Sequence, residues 1–206
     1  MSKIFSPLPR SLGHVSIDCP EFVYHVYMPI KMANSPTVRI PKHLECFWPL
    51  VERVLFYGGV TAGRYIYLTV KKMYVQAGQS ANRPGWHIDG YGTDDTNFIW
   101  ADCMPTEFVT GEFDLSNDHT LSLAQMQEQA NGRPVQTLSD CLLLMLKADS
   151  VHRVAECKKD CVRTFVKISL STEQYNLKGN AHNYLFDYDW TMVDRIAERN
   201  HPVGVA

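Results

Sequence analysis

Long apolar runs are missing from this 206-residue chain. None approaches the roughly 20 residues that a membrane-spanning helix needs, and the opening MSKIFSPLPR has no hydrophobic signal region, so the expectation is a cytoplasmic protein with no membrane partner. No C-x-x-C pair occurs among the six cysteines, at 19, 46, 103, 141, 157 and 161. That speaks against both a zinc module and a secreted disulfide framework. Cys157 and Cys161 flank Lys158-Lys159-Asp160 in what reads as a hairpin turn, and they are read as reduced thiols. Basic runs go no further than Lys71-Lys72 and Lys158-Lys159, and net charge is −2. A small-molecule or protein side-chain substrate is therefore expected rather than nucleic acid. The chain also lacks G-x-G-x-x-G, a Walker loop, G-x-S-x-G and any 20–50-residue repeat. Dinucleotide binding, P-loop chemistry and a nucleophile elbow lose their signatures, as does a solenoid.

What remains is 45% hydrophobic and 20% charged, enough for one domain with a real core. Residues 1–63 read as a proline-rich N-terminal wrap and a helix. In the wrap, "EFVYHVYMPI" is a β-type run that pairs at a sheet edge or wraps the domain and carries no chemistry of its own. In the helix, Leu44, Phe47, Trp48, Val51, Val54 and Leu55 recur at helical spacing, Pro49 kinks or splits it, and Gly58-Gly59 ends it. Residues 64–170 read as a β core, through "RYIYLTVKKMYV", "TNFIWADCM", "TEFVTGEF", "DCLLLMLK", "VHRVAE" and "VRTFVKISL". A short helix, "TLSLAQMQEQANG", is inserted among these strands. Residues 171–206 read as a C-terminal extension in which "DYDWTMVDRIAERN" forms a capped outer helix. Successive strands flanked by helices give an α+β class with a jelly-roll core.

The stretch "NRPGWHIDGYG" holds His87 and Asp89 one residue apart, which directs both side chains to one side of a strand. H-x-D alone is too short to mean much, so the other histidines decide. His14, His25, His43 and His201 lie in terminal segments or on the early helix, His119 at a helix start, and His182 beyond the last strong strand. His152 follows the apolar run "CLLLML" and the turn "KADS" and opens a new β segment, where a rigid strand end reaches a barrel mouth. Two histidines and one carboxylate make a facial triad with open metal positions, and that ligand set suggests Fe(II).

With these residues in place the sequence resembles the Fe(II)- and 2-oxoglutarate-dependent dioxygenases. The pattern is H-x-D at 87–89, a distal His152, and a basic Arg163 eleven residues later. That spacing and "GWHID" resemble the phytanoyl-CoA hydroxylase type within the group. The resemblance spans roughly residues 64–170 and implies a double-stranded β-helix core with His87, Asp89 and His152 on iron. It further implies oxidative decarboxylation of 2-oxoglutarate coupled to substrate hydroxylation, with no residue catalytic beyond the metal ligands. Arg163 would pair bidentately with the distal carboxylate of 2-oxoglutarate, brought to the cavity by a hairpin of "VHRVAE" and "CVRTFVKIS". Phe165 stands where some families carry a hydroxyl, so Tyr74 is the expected helper for the co-substrate, with Asn97 a further contact. Trp86 and Tyr91 would line the substrate opening. Lys167 reads as a solvated strand edge, and Asp94 and Asp95 as a solvated turn. Two alternatives stay open: a cupin-like isomerase or dioxygenase that does not use 2-oxoglutarate, and a jelly-roll binding or structural protein in which the triad is incidental. Oligomeric state is left open.

Overall fold

The computed structural model describes residues 2–59 and 61–195. It is a sheet-rich α+β fold in which the pairings between the described strands are antiparallel. The strands are β1 (Ser2–Ser6), β2 (Arg10–His14), β3 (Tyr24–Lys31), β4 (Tyr65–Val75), β5 (Thr96–Ala101), β6 (Glu107–Phe108), β7 (Gly111–Leu115), β8 (Gln136–Thr137), β9 (Leu142–Lys147), β10 (His152–Arg153) and β11 (Cys161–Ser171). Two α-helices, α1 (Trp48–Tyr57) and α2 (His119–Ala130), complete the described elements. A six-stranded sheet in the order β2-β9-β5-β11-β4-β3 forms the body, accompanied by a three-stranded sheet, β10-β6-β8, and the pair β1-β7. No helix among the described residues is long and apolar enough to cross a membrane.

Side-chain alternation along the strands sorts the large sheet into two unlike faces. Ile66, Leu68 and Val70 of β4, Phe98 and Trp100 of β5, and Val166, Ile168 and Leu170 of β11 join one apolar cluster. Leu44, Phe47, Leu50, Val51 and Val54 close it from the helical side. Pro49 splits the expected helix: a 3-10 turn covers Lys42–Phe47, and Pro49 falls in the first turn of α1, where its missing N–H costs nothing. Gly58 ends α1, donating to the Val54 carbonyl at 2.6 Å. A Cβ there would sit 2.6 Å from that same oxygen, so the tight exit requires glycine.

The opposite face receives the three-stranded sheet, with Phe108 packing among Ile99, Ala101, Leu144, Leu146 and Phe165. A third apolar group joins Trp86 and Ile88 to Phe113 and Leu115 of β7 and Met126 and Ala130 of α2. α2 is capped by Asp118, whose carboxylate accepts from the Leu121 N–H.

Three expectations need correction. β10 pairs with β6, while β11 lies between β4 and β5, so no hairpin joins the two segments. β10 is only two residues long, and Glu156 beyond it bridges Ser80 and not β11. Residues 187–195 contain no helix; Val193 instead bridges Leu177 across a tyrosine- and tryptophan-rich contact with β3 and β4. The remainder of that predicted helix, 196–200, lies outside the described residues. Asp95 is buried and accepts from the Tyr175 hydroxyl at 2.5 Å, whereas Asp94 is the exposed partner of Arg64.

Candidate metal centre

His87, Asp89 and His152 converge, one ligand atom from each lying within 4.8 Å of the others. Backbone pairing places them: His87 and His152 exchange both N–H···O bonds, each 2.9 Å, across an isolated bridge between the two ligand segments. Alternation then turns Trp86 and Ile88 into the apolar group under α2 and leaves His87 and Asp89 on the other side. Gly90 adopts φ +73° immediately after the carboxylate ligand, and a Cβ there would lie 2.8 Å from that of Asp95. Glycine is therefore needed for the chain to turn away from the site.

Both imidazoles are oriented in the same way. The Nδ1–H of His87 donates to the Gly85 carbonyl and that of His152 to the Ser150 carbonyl, each at 2.9 Å. A carbonyl can only accept, so each Nδ1 carries a proton, and a neutral ring then has its lone pair on Nε2. Burial, followed by the neighbouring His152, pushes His87 down to about 4, so it is neutral at physiological pH as a ligand must be. Burial by itself would raise the Asp89 carboxyl, but the Lys167 ammonium and then His152 outweigh it and hold Asp89 well below the usual carboxylate range. The donor set, two imidazoles, of which His87 is neutral, and an ionised carboxylate, fits a divalent metal with open positions.

Lys167 is not a solvated edge. It is 7% exposed, and its ammonium donates to Asp89 Oδ2 at 2.9 Å and to the Tyr27 hydroxyl at 2.8 Å. Its position on β11 opposite Thr69 of β4 aims it at the interior of the fold. Asp89 Oδ2 also lies 3.6 Å from His152 Nε2, whereas Oδ1 makes no hydrogen bond among the described residues. Tyr27 comes from an irregularity in β3, where the register to β4 shifts between His25 and Met28 and Tyr27 takes φ 49°. That conformation is unusual for a bulky residue. Its N–H, diverted from the ladder, is satisfied by Thr69 Oγ1 at 2.9 Å.

The three candidate ligands line a cavity of about 350 Å³, together with Arg163, Lys167 and Tyr27. Arg163 is buried, its guanidinium over the Phe165 ring. Its Nε and Nη2 donate to the Cys103 and Met104 carbonyls at 3.0–3.2 Å. Nη1 makes no hydrogen bond among the described residues, leaving one edge of the guanidinium for a ligand in the cavity.

Four other expected site residues lie outside the cavity. Tyr74 is 52% exposed and its hydroxyl donates to Asp160, because it has the strand parity opposite to Thr69 and Lys71. Asn97 is buried beneath the ligand turn, accepting from Ser169 at 2.6 Å and donating to the Asp89 carbonyl at 3.4 Å. Trp86 is buried away from the opening, with the Arg153 guanidinium 4.3 Å from its ring centroid. Tyr91 packs on the same apolar group. Conversely, Tyr27, Thr69, Lys71 and Lys167 line the cavity without having been singled out for it. The available signal was a lysine centred in an apolar strand, in "LTVKKMY" and "TFVKISL".

No protein-family profile and no curated protein matches this chain. Among solved structures, the crystal structure of EvdMO1 overlaps 77% of this chain at 16% identity with a TM-score of 0.40. The overlap covers 39% of the EvdMO1 chain, so this protein spans about two fifths of it. That likeness is too loose to bear on function.

Proposed function

We propose that this protein is a non-haem iron(II) oxygenase that couples oxidative decarboxylation of 2-oxoglutarate to hydroxylation of a second substrate, on a double-stranded β-helix core. The observation that carries the reading is the convergence of His87, Asp89 and His152 at a cavity whose wall presents the free edge of Arg163. His87 and His152 would hold Fe(II) through Nε2, and Asp89 through its carboxylate. The metal and 2-oxoglutarate would supply the oxygen chemistry. The chain's own share is orientation and exclusion of water. The Gly85 and Ser150 carbonyls fix the imidazoles, Lys167 and Asn97 fix Asp89, and Arg163 would take the distal carboxylate of the co-substrate. The sheet-on-sheet packing around Phe108 and Phe165 supports the β-helix reading, since it leaves the cavity between two layers.

Anaerobic titration of 2-oxoglutarate into the Fe(II)-loaded protein tests this, through the weak metal-to-ligand absorption band that a chelated 2-oxo acid gives. Arg163→Leu should keep its iron and lose about two orders of magnitude in 2-oxoglutarate affinity, roughly 3 kcal/mol. His152→Ala should lose iron. Wild type that binds Fe(II) without developing the band with 2-oxoglutarate overturns the co-substrate assignment. Unchanged iron in His152→Ala overturns the triad.

A further inference from the structure

The cavity is strongly unbalanced in charge. Lys71, Arg83, Arg163, Lys167 and Arg195 line it, and among the described residues Asp89 is the only carboxylate in the lining. Three of the cations form an array on one sheet face. Lys71 on β4 stands opposite Phe165 on β11, and Arg163 and Lys167 flank Phe165 two residues to either side. Diagonal neighbours of this kind lie within reach of long side chains, and like charges placed so repel. Burial first, then Lys167 and Arg163, push the Lys71 ammonium down to about 8.

Two members of the array already have partners. Lys167 is paired with Asp89, and Arg163 is the residue assigned to the distal carboxylate of 2-oxoglutarate. The other end of 2-oxoglutarate would be taken by the metal. Lys71 is left with a neutral contact, Asn82 Oδ1 at 3.1 Å, and the ring of Tyr24 at 5.3 Å. Tyr24 is largely exposed, which puts this cation on the solvent side of the cavity, where a second substrate would enter. A half-buried ammonium with no carboxylate hydrogen-bonded to it among the described residues, in a wall of like charge, suits an anion brought from solution.

We infer that the primary substrate is a small oxyanion, carrying a carboxylate or phosphate group that Lys71 binds at the cavity mouth while 2-oxoglutarate occupies the inner end. The inference rests on the oxygenase reading. A cavity of about 350 Å³ is near the lower end of small-molecule sites, about 300–1,000 Å³, and it must also take 2-oxoglutarate. A small molecule therefore fits better than a bulky one.

The test is thermal unfolding of the protein loaded with Mn(II), which is redox-inert here, first with 2-oxoglutarate alone. Acetate, inorganic phosphate or neutral acetamide is then added at constant ionic strength with 2-oxoglutarate saturating. Acetate or phosphate should raise Tm saturably and acetamide should not, and whichever anion binds more tightly identifies the oxyanion type. Lys71→Met should weaken that anion at least fivefold while 2-oxoglutarate affinity changes less than about threefold. The variant removes a charge from a repulsive array, so loss of folding is not expected. No stabilisation by 2-oxoglutarate alone overturns the oxygenase reading. Stabilisation by 2-oxoglutarate with no further saturable effect of either anion overturns this inference alone. So does an anion effect that is equal in Lys71→Met, or one that 2-oxoglutarate abolishes by competition.

Discussion

Along β11, Val166, Ile168 and Leu170 face α1, while Arg163, Phe165 and Lys167 face the cavity, and β4 repeats the division with Ile66, Leu68 and Val70 against Thr69 and Lys71. The same strands thus supply an apolar face under α1 and a mixed face on which Phe165 packs against Phe108 beside a cluster of cations. The cavity-lining cations of β4 and β11 lie on the second face only, one residue of register from the first. A substitution on either face should therefore have a distinct signature.

The largest effect is expected from the helix-covered face. Ile168→Ala removes a fully buried side chain and should cost about 3 kcal/mol in urea unfolding. A loss below about 1 kcal/mol would mean that this face is not the core. At the ligands on the cavity face, a comparable effect should appear as acid sensitivity of the metal-free protein. His87 is held near 4 when folded, by burial and then by His152, and takes a proton near 6.5 when unfolded. The unfolded chain binds more protons between those values. Stability is therefore complete above about pH 6.5 and falls as pH drops toward 4, by up to about 3 kcal/mol. Asp89, held low by Lys167, keeps its contribution until the pH is below the ordinary carboxylate range, so it does not steepen this slope. His87→Gln should flatten the profile, and parallel profiles would show that the imidazole is not buried neutral. The smallest effect belongs to an exposed residue near the end of β4. Tyr74→Phe should change stability by less than about 0.5 kcal/mol and leave 2-oxoglutarate binding alone, and a tenfold loss of binding would return Tyr74 to the site.

The same register rule explains what was legible in the sequence. His87, Asp89 and His152 could be brought together because H-x-D places two ligands on one side of an extended segment and a strand end offers the third. Applied one residue either way, that rule also excludes Trp86 from the opening, since a neighbour of His87 must point to the opposite side. Tyr74 fails for the same reason against Thr69 and Lys71. Composition could not disclose Lys167, because a lysine in a strand is ordinarily at an edge. Its burial follows from β11 being central in the sheet, between β5 and β4, and only the pairing reveals that. Tyr27 is less legible still: it reaches Lys167 through a register shift in β3, and no periodicity in "EFVYHVYMPI" marks where a strand will slip. The hairpin expected between β10 and β11 followed from adjacency in sequence, whereas β11 pairs with β4 along its whole length and with β5 from Phe165 onward, and β10 pairs with β6.

The bridge between His87 and His152 has a kinetic consequence. Two hydrogen bonds tie the ligand segments together, one from each histidine amide. Neither amide can exchange with solvent deuterium unless that one link opens, and the same opening parts two of the three ligands. The two amides should therefore exchange at a common rate set by one local fluctuation, well below the cost of global unfolding. Escape of a bound ion would be gated by that event, and a seated ion would slow it, so protection at positions 87 and 152 reports residence time at the centre.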